Sequence, residues 1–389
     1  MAETTLSSPR QSPGWITQLA LVFVEVVVAA VAGIGFLTVG ARGGAWILGG
    51  IAAGAIVFYG YRQWFFQEQG PNRDLRKLGQ LLIGLTVGFS VQNLNLSQLS
   101  FQIPVLMAIA FFLLFNGGWI GYLYARLEQT DLLTAVLATF PGNIGVVASV
   151  AADYERNTAL VSLVQLLRFT SIILAVPLVA NVPASQAISS TLYSLLADLR
   201  TVDLTQMLWL GGSLCLASLA VMTGTRLKIP VASFICSIGT GILLTQLVLP
   251  LTAQTFHLPQ LLKVMGQIFL GITIGEYWAI HPSLQLKTVW RALLPVGLTC
   301  LAALLAAALA RGLTHWDWLT CLLVAAPGGS PEMIWIALAL NHNIELVTTG
   351  HIIRLLTINL ALPLVITLTV RLEQHWQFGK NPTQPTDGF

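Results

Sequence analysis

Charged residues are scarce in this sequence. Lysine, arginine, aspartate and glutamate supply only 9% of the 389 residues, whereas about a quarter of a typical soluble domain is charged. Hydrophobic residues supply 55%, and the mean hydropathy is +0.77. This balance excludes an ordinary soluble domain and indicates a protein of the lipid bilayer. The formal net charge of +3 is too small to indicate a nucleic-acid partner.

Cysteine is also rare. The four cysteines lie in apolar stretches without CxxC spacing, which excludes a disulfide framework and a zinc site of the usual kind. They are interpreted as small packing residues: Cys215, Cys236, Cys300 and Cys321. We therefore expect neither a metal nor a cofactor.

The two ends of the chain are polar. Residues 1–14 contain a single arginine and no short apolar core followed by small residues, so we predict a polar N-terminal tail and no signal peptide. Residues 371–389 are polar and contain proline, a composition typical of a disordered C-terminal tail.

The sequence between the tails is duplicated. Apolar segments of about 20 residues, long enough to cross a bilayer, recur from Trp15 to Val370. The segment beginning at Pro141 aligns without a gap to the segment beginning at Pro327, an offset of 186 residues. A GQxxxGxTxG motif recurs at an offset of 187. We therefore predict two membrane repeats, residues 15–185 and 200–370.

Each repeat contains two apolar spans, the GQxxxGxTxG helix, a further span, a Pro-Gly-interrupted segment and a closing helix with a central arginine, or 12 apolar segments in all. If the interrupted segments (131–153 and 317–340) re-enter, each repeat crosses five times and the second copy is inverted. Apart from the two central arginines, 17 basic residues can be assigned to a side of the membrane: in this arrangement 13 lie on the side of the N-terminus and four on the opposite side. If every segment crosses, the numbers are 11 and six. The positive-inside rule favours the re-entrant arrangement.

We therefore predict an all-α polytopic membrane protein with two inverted repeats. It has about 10 transmembrane helices plus two Pro-Gly-broken re-entrant segments. Both termini are expected in the cytoplasm. The alternative in which the Pro-Gly segments cross the membrane stays open.

The Pro-Gly interruptions are the first candidate site. Non-helical backbone at membrane depth is tolerated only where protein or a water-filled cavity satisfies its polar groups. The half-helix after each break directs a positive dipole end inward, where an anion would be stabilised. The alternative is a structural kink. The candidate substrate-binding residues here are Pro141, Gly142 and Asn143 in the first repeat, and Pro327, Gly328, Gly329 and Ser330 in the second.

Arg168 and Arg354 are the strongest single signals, because each lies near the middle of its closing helix. A guanidinium there costs at least about 2.5–3.5 kcal/mol and must face the protein interior or water. Two such groups indicate an anionic substrate, most simply a carboxylate. The alternative is pairing with a carboxylate or with carbonyls of the interrupted segments. Thr86 and Thr273 of the GQxxxGxTxG motifs are further candidate substrate contacts.

Glu332 and His351 occur in the second repeat only, and their counterparts in the first repeat are Val146 and Gln165. His351 lies three residues before Arg354 and so shares its helical face. We hypothesise that Glu332 and His351 couple transport to protons. The alternative for Glu332 is a first-turn carboxylate that the helix dipole stabilises.

Other polar residues of the spans are expected to have structural roles. Glu25 and Glu276 are expected near a helix partner or an interface rather than in a site. Gln80 and Gln267, which match across the repeats, are expected to form hydrogen bonds between helices. The tryptophans that flank spans are expected to anchor the membrane interfaces.

The duplicated half, the GQxxxGxTxG helix and the PGGSPEM motif at Pro327–Met333 resemble the AbrB family of duplicated bacterial inner-membrane proteins. The resemblance covers essentially the whole membrane region. Members are often labelled ammonia monooxygenases or regulators. The first repeat departs from the motif, because Val146 stands where the second repeat has an acidic residue. The family shares its name with a soluble DNA-binding regulator, but this chain has no basic or soluble domain with which to bind DNA.

These observations predict a secondary transporter of a small, carboxylate-like organic anion, driven by an ion gradient because the sequence has no Walker motif. A membrane-embedded sensor or regulatory protein is the alternative. A monooxygenase is a distant third, because its metal centre needs several histidine or carboxylate ligands and the six histidines form no HxxxH or ExxH pair. We therefore do not expect an enzyme. The expected partners are a small anion and the lipid bilayer, with homo-oligomerisation left open.

Overall fold

The computed structural model describes residues 15–38, 44–65, 70–90, 96–142, 144–179, 204–248, 256, 258–280, 286–340 and 342–380. Within these ranges the chain forms fourteen α-helices and no strand. The first seven helices are α1 (Trp15–Thr38), α2 (Ala45–Phe65), α3 (Arg73–Ser90), α4 (Leu96–Glu128), α5 (Leu132–Thr139), α6 (Ile144–Asp153) and α7 (Thr158–Val179). The others are α8 (Leu204–Arg226), α9 (Ala232–Leu243), α10 (Gln260–Ile280), α11 (Leu286–Leu313), α12 (Trp318–Ala325), α13 (Ser330–Ala339) and α14 (Ile344–Lys380).

Two features of these bounds bear on the predictions. A π-helical turn, Leu244–Val248, continues α9. Helix α14 runs on to Lys380, into the segment for which disorder was predicted, because residues 371–378 contain no proline or glycine that would end the helix. The N-terminal tail and Asn143 lie outside the described residues.

Among the described helices, seven are long and apolar enough to cross a bilayer: α1, α2, α4, α7, α8, α11 and α14. The protein is therefore an all-helical, multi-pass membrane protein. Ten crossings were predicted, and α3, α9 and α10 do not have the length and apolarity of a span. Helices α3 and α10 are instead buried along most of their length by neighbouring helices. Protein contacts on all sides allow them to carry glycine, glutamine and threonine.

Glycines bring four of these helices close together. Helix α3 packs against α9, where a Cβ atom on Gly84 would lie 2.7 Å from the carbonyl oxygen of Phe234. Helix α10 packs against α2 in the same way, since a Cβ atom on Gly271 would overlap the carbonyl oxygen of Ile47. The GxxxG spacing thus serves close backbone approach. Each contact joins a helix from one half of the chain to a helix from the other.

The first Pro-Gly interruption separates α5, of eight residues, from α6, of ten. Asp131 caps α5 by accepting a hydrogen bond from the Thr134 amide at 2.7 Å. Arg156, just beyond α6, places Nη1 3.4 Å from Asp131 Oδ1, and the Asn157 amide donates to Thr134 Oγ1 at 3.4 Å. The start of α5 and the end of α6 therefore lie side by side.

The second interruption has the same arrangement, with α12 of eight residues and α13 of ten. Asp317 caps α12 by accepting from the Thr320 amide at 2.9 Å, and His342, just beyond α13, lies 3.1 Å from Asp317 Oδ2. Burial acts to raise the pKa of Asp317, but hydrogen bonds from Thr320 and the neighbouring His342 outweigh it and hold that pKa below its ordinary value.

The open ends of the two helix pairs lie at different ends of the same long helices. Arg156, beside the open end of α5 and α6, also forms an ion pair with Glu373 near the end of α14, at 3.1 Å. Arg291 near the start of α11 pairs with Glu128, which precedes α5, at 3.1 Å. Asp317 and His342 follow the end of α11 and precede α14. The first pair thus opens beside the start of α11, and the second beside its end.

The main buried cluster mixes both halves of the chain. It includes Ile83, Leu106 and Leu166 from the first half, and Leu323 and Ile334 from the second. The two halves therefore share this core, which contains the second interrupted segment, whereas α5 and α6 pack in a separate buried cluster that includes Val136 and Phe140.

Candidate anion-binding site

Both interruptions line one cavity of about 60 Å³, here called the central cavity. The first half of the chain contributes Arg76 and Gln80 from α3, together with Pro141, Gly142, Gln165, Arg168 and Phe169. The second half contributes Thr273, Ile274 and Tyr277 from α10, together with residues 327–332 and Arg354. Ten of the thirteen site residues predicted from the sequence meet here: Pro141, Gly142, Arg168, Thr273, Pro327, Gly328, Gly329, Ser330, Glu332 and Arg354. The cavity thus joins residues that are far apart in sequence.

The two central arginines hold the ends of the broken helices. Arg168 Nη1 donates to the carbonyl oxygens of Thr139 and Phe140, at 3.2 and 3.1 Å, where α5 ends. Arg354 donates to the carbonyl oxygens of Ala326 and Gly328, where α12 ends. Both side chains are 4% exposed. The alternative raised above, pairing with carbonyls of the interrupted segments, is therefore observed, and each guanidinium offsets the negative end of a helix dipole.

Gln165 holds the side chain of Arg168 in position. Its Oε1 accepts from Arg168 Nη2 at 2.6 Å, while its Nε2 donates to the carbonyl oxygens of Leu137 and Phe140, at 2.9 and 2.8 Å. One uncharged side chain thus joins the guanidinium to the last turn of α5.

His351 makes the matching contacts in the second half. Its Nδ1 lies 2.8 Å from Arg354 Nη2, and its Nε2 lies 2.9 Å from the carbonyl oxygen of Leu323. Arginine only donates, so Nδ1 accepts and the proton sits on Nε2, which describes a neutral imidazole. His351 is fully buried and does not line the cavity. Because it occupies the place of Gln165, its geometry favours a positioning role over the proton coupling hypothesised above.

Glu332 does line the cavity. It lies in the first turn of α13 and is 4% exposed, and its Oε2 has no hydrogen-bond partner among the described residues. A Cβ atom on Gly329 would overlap both Glu332 Oε2 and the Phe169 ring. Gly329 caps α13 without a side-chain hydrogen bond. Glycine therefore leaves room for the carboxyl group beside a helix N-terminus.

Arg76 was not predicted as a site residue. It is half-buried in the first turns of α3 and lines the cavity, and its guanidinium donates no hydrogen bond to a described residue. The sequence signal was its place one turn before Gln80, in the GQxxxGxTxG helix. The described lining thus includes three guanidiniums and one carboxyl group, an arrangement that favours anions.

The glutamines and threonines differ between the halves. Gln80 lines the cavity, whereas Gln267 donates to Lys263 O in its own helix at 3.2 Å, so neither follows the predicted hydrogen bonding between helices. Thr273 lines the cavity, but Thr86 does not, because it is buried and donates to Leu82 O at 2.8 Å. Asn143 lies outside the described residues.

Within the described part of the chain, no group of three histidine, cysteine, aspartate or glutamate side chains converges as a metal site. The absence of a cofactor stays a prediction.

Comparison with known proteins assigns the family. The AbrB family model, described as "Transition state regulatory protein AbrB", matches residues 46–369. The Bacillus subtilis protein YhjN is 29% identical over 314 residues, which cover 76% of this chain and 79% of that protein. The Escherichia coli protein named "Putative regulator AbrB" is 26% identical over 295 residues, 74% of this chain and 80% of that protein. The chain belongs to the AbrB family.

Proposed function

We propose that this protein is a secondary transporter of a small organic anion with a carboxylate group. The observation that carries the proposal is the central cavity, where two broken helix pairs and three arginines meet inside a membrane protein. Broken helices that meet in the membrane interior form the substrate sites of many secondary transporters. An ion gradient supplies the driving force.

The cavity's size and charge define the substrate class. A water molecule needs about 10–15 Å³ of such space, so a cavity of about 60 Å³ has room for only a few non-hydrogen atoms in this conformation. An anion loses its hydration on entering, and bidentate guanidinium contacts offset that cost. Arg168 and Arg354 are already fixed by backbone carbonyls and Arg76 is not, so Arg76 supplies the adaptable contact.

The fold supports a matching membrane topology. The two ends of each broken pair lie side by side, as expected if each pair enters and returns from one face of the membrane. The pairs open beside opposite ends of α11, as expected for inverted repeats. We propose ten crossings, cytoplasmic termini and a bacterial inner-membrane location, in agreement with the distribution of basic residues.

Glu332 is the proposed coupling group. An ionised carboxylate in so small a cavity would repel an anionic substrate, whereas the protonated carboxyl group would not. Anion binding is therefore linked to proton uptake at Glu332, and one proton accompanies each anion. His351 keeps Arg354 in place and does not itself exchange the proton.

Flux in liposomes tests the proposal. Purified protein is reconstituted, a proton gradient is imposed, and accumulation of labelled formate, acetate and lactate is measured. Arg354→Lys should lose most uptake, because lysine cannot cap two carbonyls and present a planar fork. Arg226→Lys, at an exposed helix end, is the matched control and should keep it. Failure of the wild-type protein to accumulate any small carboxylate, with empty liposomes as reference, would remove the transporter assignment.

A membrane-embedded sensor or regulator is the second candidate, favoured by the name of the Escherichia coli relative. The same cavity would then bind an anion and signal through another protein. A sensor would gain thermal stability from the anion by mass action without any flux. In either role we propose a protein that is not an enzyme.

A further inference from the structure

Glu25 is a buried carboxyl group outside the central cavity. It lies within α1 and has 0% exposure, and neither of its oxygens has a hydrogen-bond partner among the described residues. An ionised carboxylate without partners in an apolar interior is costly. This position therefore requires either a neutral carboxyl group or a bound cation.

Glu276 on α10 is a second carboxyl group at the same depth. It is 1% exposed, its Oε2 accepts a hydrogen bond from the Asn72 amide at 2.7 Å, and it is the electrostatic neighbour of Glu25. Glycine contacts show which part of α2 lies beside each carboxyl group. Gly49 of α2 contacts Ala29 of α1, one turn from Glu25, and Gly275 of α10, next to Glu276, contacts Ile51 of α2. Both carboxyl groups therefore lie near the middle of α2.

The pair is separated from the cavity by the body of α10. Thr273 and Tyr277, one turn apart, face the central cavity. Ile272, which touches Gly54 of α2, is one turn before Glu276, so Glu276 shares the face of α10 that meets α2. The carboxyl pair thus lies directly behind a wall of the proposed substrate site.

The charged groups on the helices packed around the pair have other contacts. On α2, Arg62 Nη1 donates to Ala279 O at 3.4 Å. On α3, Lys77 and Asp74 pair with each other at 3.0 Å, Arg73 is exposed, and Arg76 faces the central cavity. On α7, Arg168 caps α5, as described above.

A proton suits this site better than a metal ion. Hard metal cations take about six or more oxygen ligands, whereas the carbonyl oxygens of the surrounding helices are engaged within those helices. One proton neutralises one of the two carboxylates and removes the repulsion between them. We infer that Glu25 and Glu276 form a proton-binding pair buried among α1, α2 and α10, distinct from the central cavity and able to act on its α10 wall.

Carboxyl protonation can be read directly, without substrate. Infrared spectra of the reconstituted wild-type protein, recorded between about pH 5 and pH 9, should contain a protonated-carboxyl C=O band at neutral pH, where an ordinary glutamate is ionised. Glu25→Gln should lose intensity in that band, and Glu276→Gln should shift its frequency, because the neighbour of the protonated group changes. Asp74→Asn, at an exposed carboxyl group, is the control and should leave it unchanged. A spectrum in which neither glutamine variant differs from wild type would overturn the inference.

Two further measurements complete the test. Dicyclohexylcarbodiimide, which modifies protonated carboxyl groups in apolar surroundings, should label the pair in the wild-type protein, and peptide mapping should locate the adduct. If sodium chloride raises the melting temperature of wild type but not of Glu25→Gln, relative to choline chloride, a metal cation occupies the site and the proton assignment is wrong. The effect of the carboxyl pair on the α10 wall of the cavity rests on the proposed transport function. If Glu25→Gln keeps the wild-type pH profile of anion uptake, that effect is refuted, while proton binding by the pair is not.

Discussion

Exchange of His351 for glutamine tests whether this side chain titrates or only positions Arg354. In the first half, Gln165 accepts from the arginine and donates to a carbonyl of the preceding short helix, and His351 does the same in the second. Glutamine at position 351 should therefore restore both hydrogen bonds, at a cost below about 1 kcal/mol in the free energy of unfolding.

Leucine at position 351 has a different expected result. It leaves Arg354 Nη2 without its nitrogen acceptor and Leu323 O without a donor, both in a fully buried place. Each buried polar group left unpaired costs about 1–3 kcal/mol, and more when it is charged. A change of 1.4 kcal/mol is about tenfold in an equilibrium constant, so Arg354 should lose its fixed position in a large fraction of molecules.

Thermal unfolding in detergent and pH-dependent anion uptake together decide the question. His351→Gln should melt near the wild-type temperature and keep the pH profile, whereas His351→Leu should melt lower and lose uptake. Gln165→His is the mirror control and should be tolerated. If His351→Gln melts normally but transports without pH dependence, His351 exchanges the proton and our reasoning from Gln165 is wrong.

Four other changes have defined outcomes. Glu332→Gln should flatten the pH profile of uptake while raising anion affinity at high pH, because the repelling charge is gone; a full pH profile would contradict the coupling role. Gly329→Ala should abolish anion binding in a thermal-shift assay, because the methyl group overlaps the space of the Glu332 carboxyl group; unchanged binding would show that the site tolerates the overlap. Arg76→Gln should weaken anion binding roughly tenfold or more without lowering the melting temperature, and a large loss of stability would indicate a structural role. Asp317→Asn should reduce the loss of stability in acid, since a carboxyl group whose folded-state pKa is depressed stabilises the fold above its unfolded pKa and loses that effect as the pH falls through the folded value. Melting temperatures between about pH 3 and pH 7 check it, with Asp74→Asn as the exposed control.

Residue type and spacing were sufficient to predict the parts of the site that carry an intrinsic penalty. A proline directly followed by a glycine favours a break in an apolar helix, and an arginine in mid-helix must find polar partners. The segments around Pro141 and Pro327, and the two central arginines, were therefore visible in the sequence. The meeting of these residues at one cavity depends on how both halves pack.

The remaining features depend on side-chain direction, which a sequence does not display. Arg76 looks like an ordinary cytoplasmic charge, because it stands among other basic residues at the start of α3. His351 looks like a proton carrier until its two nitrogen contacts are known. Helices α3 and α10 fall short of the hydropathy of a span because protein, not lipid, surrounds them.

The carbonyl contacts of Arg354 have a thermodynamic consequence. The nitrogen atoms that would bind a substrate oxygen already hold the last carbonyls of α12. Each hydrogen bond given to a ligand is one withdrawn from the backbone, so occupancy and the shape of the helix end are reciprocally linked. A bound anion would thus loosen the segment that borders it, and a rearranged segment would change affinity by the same factor.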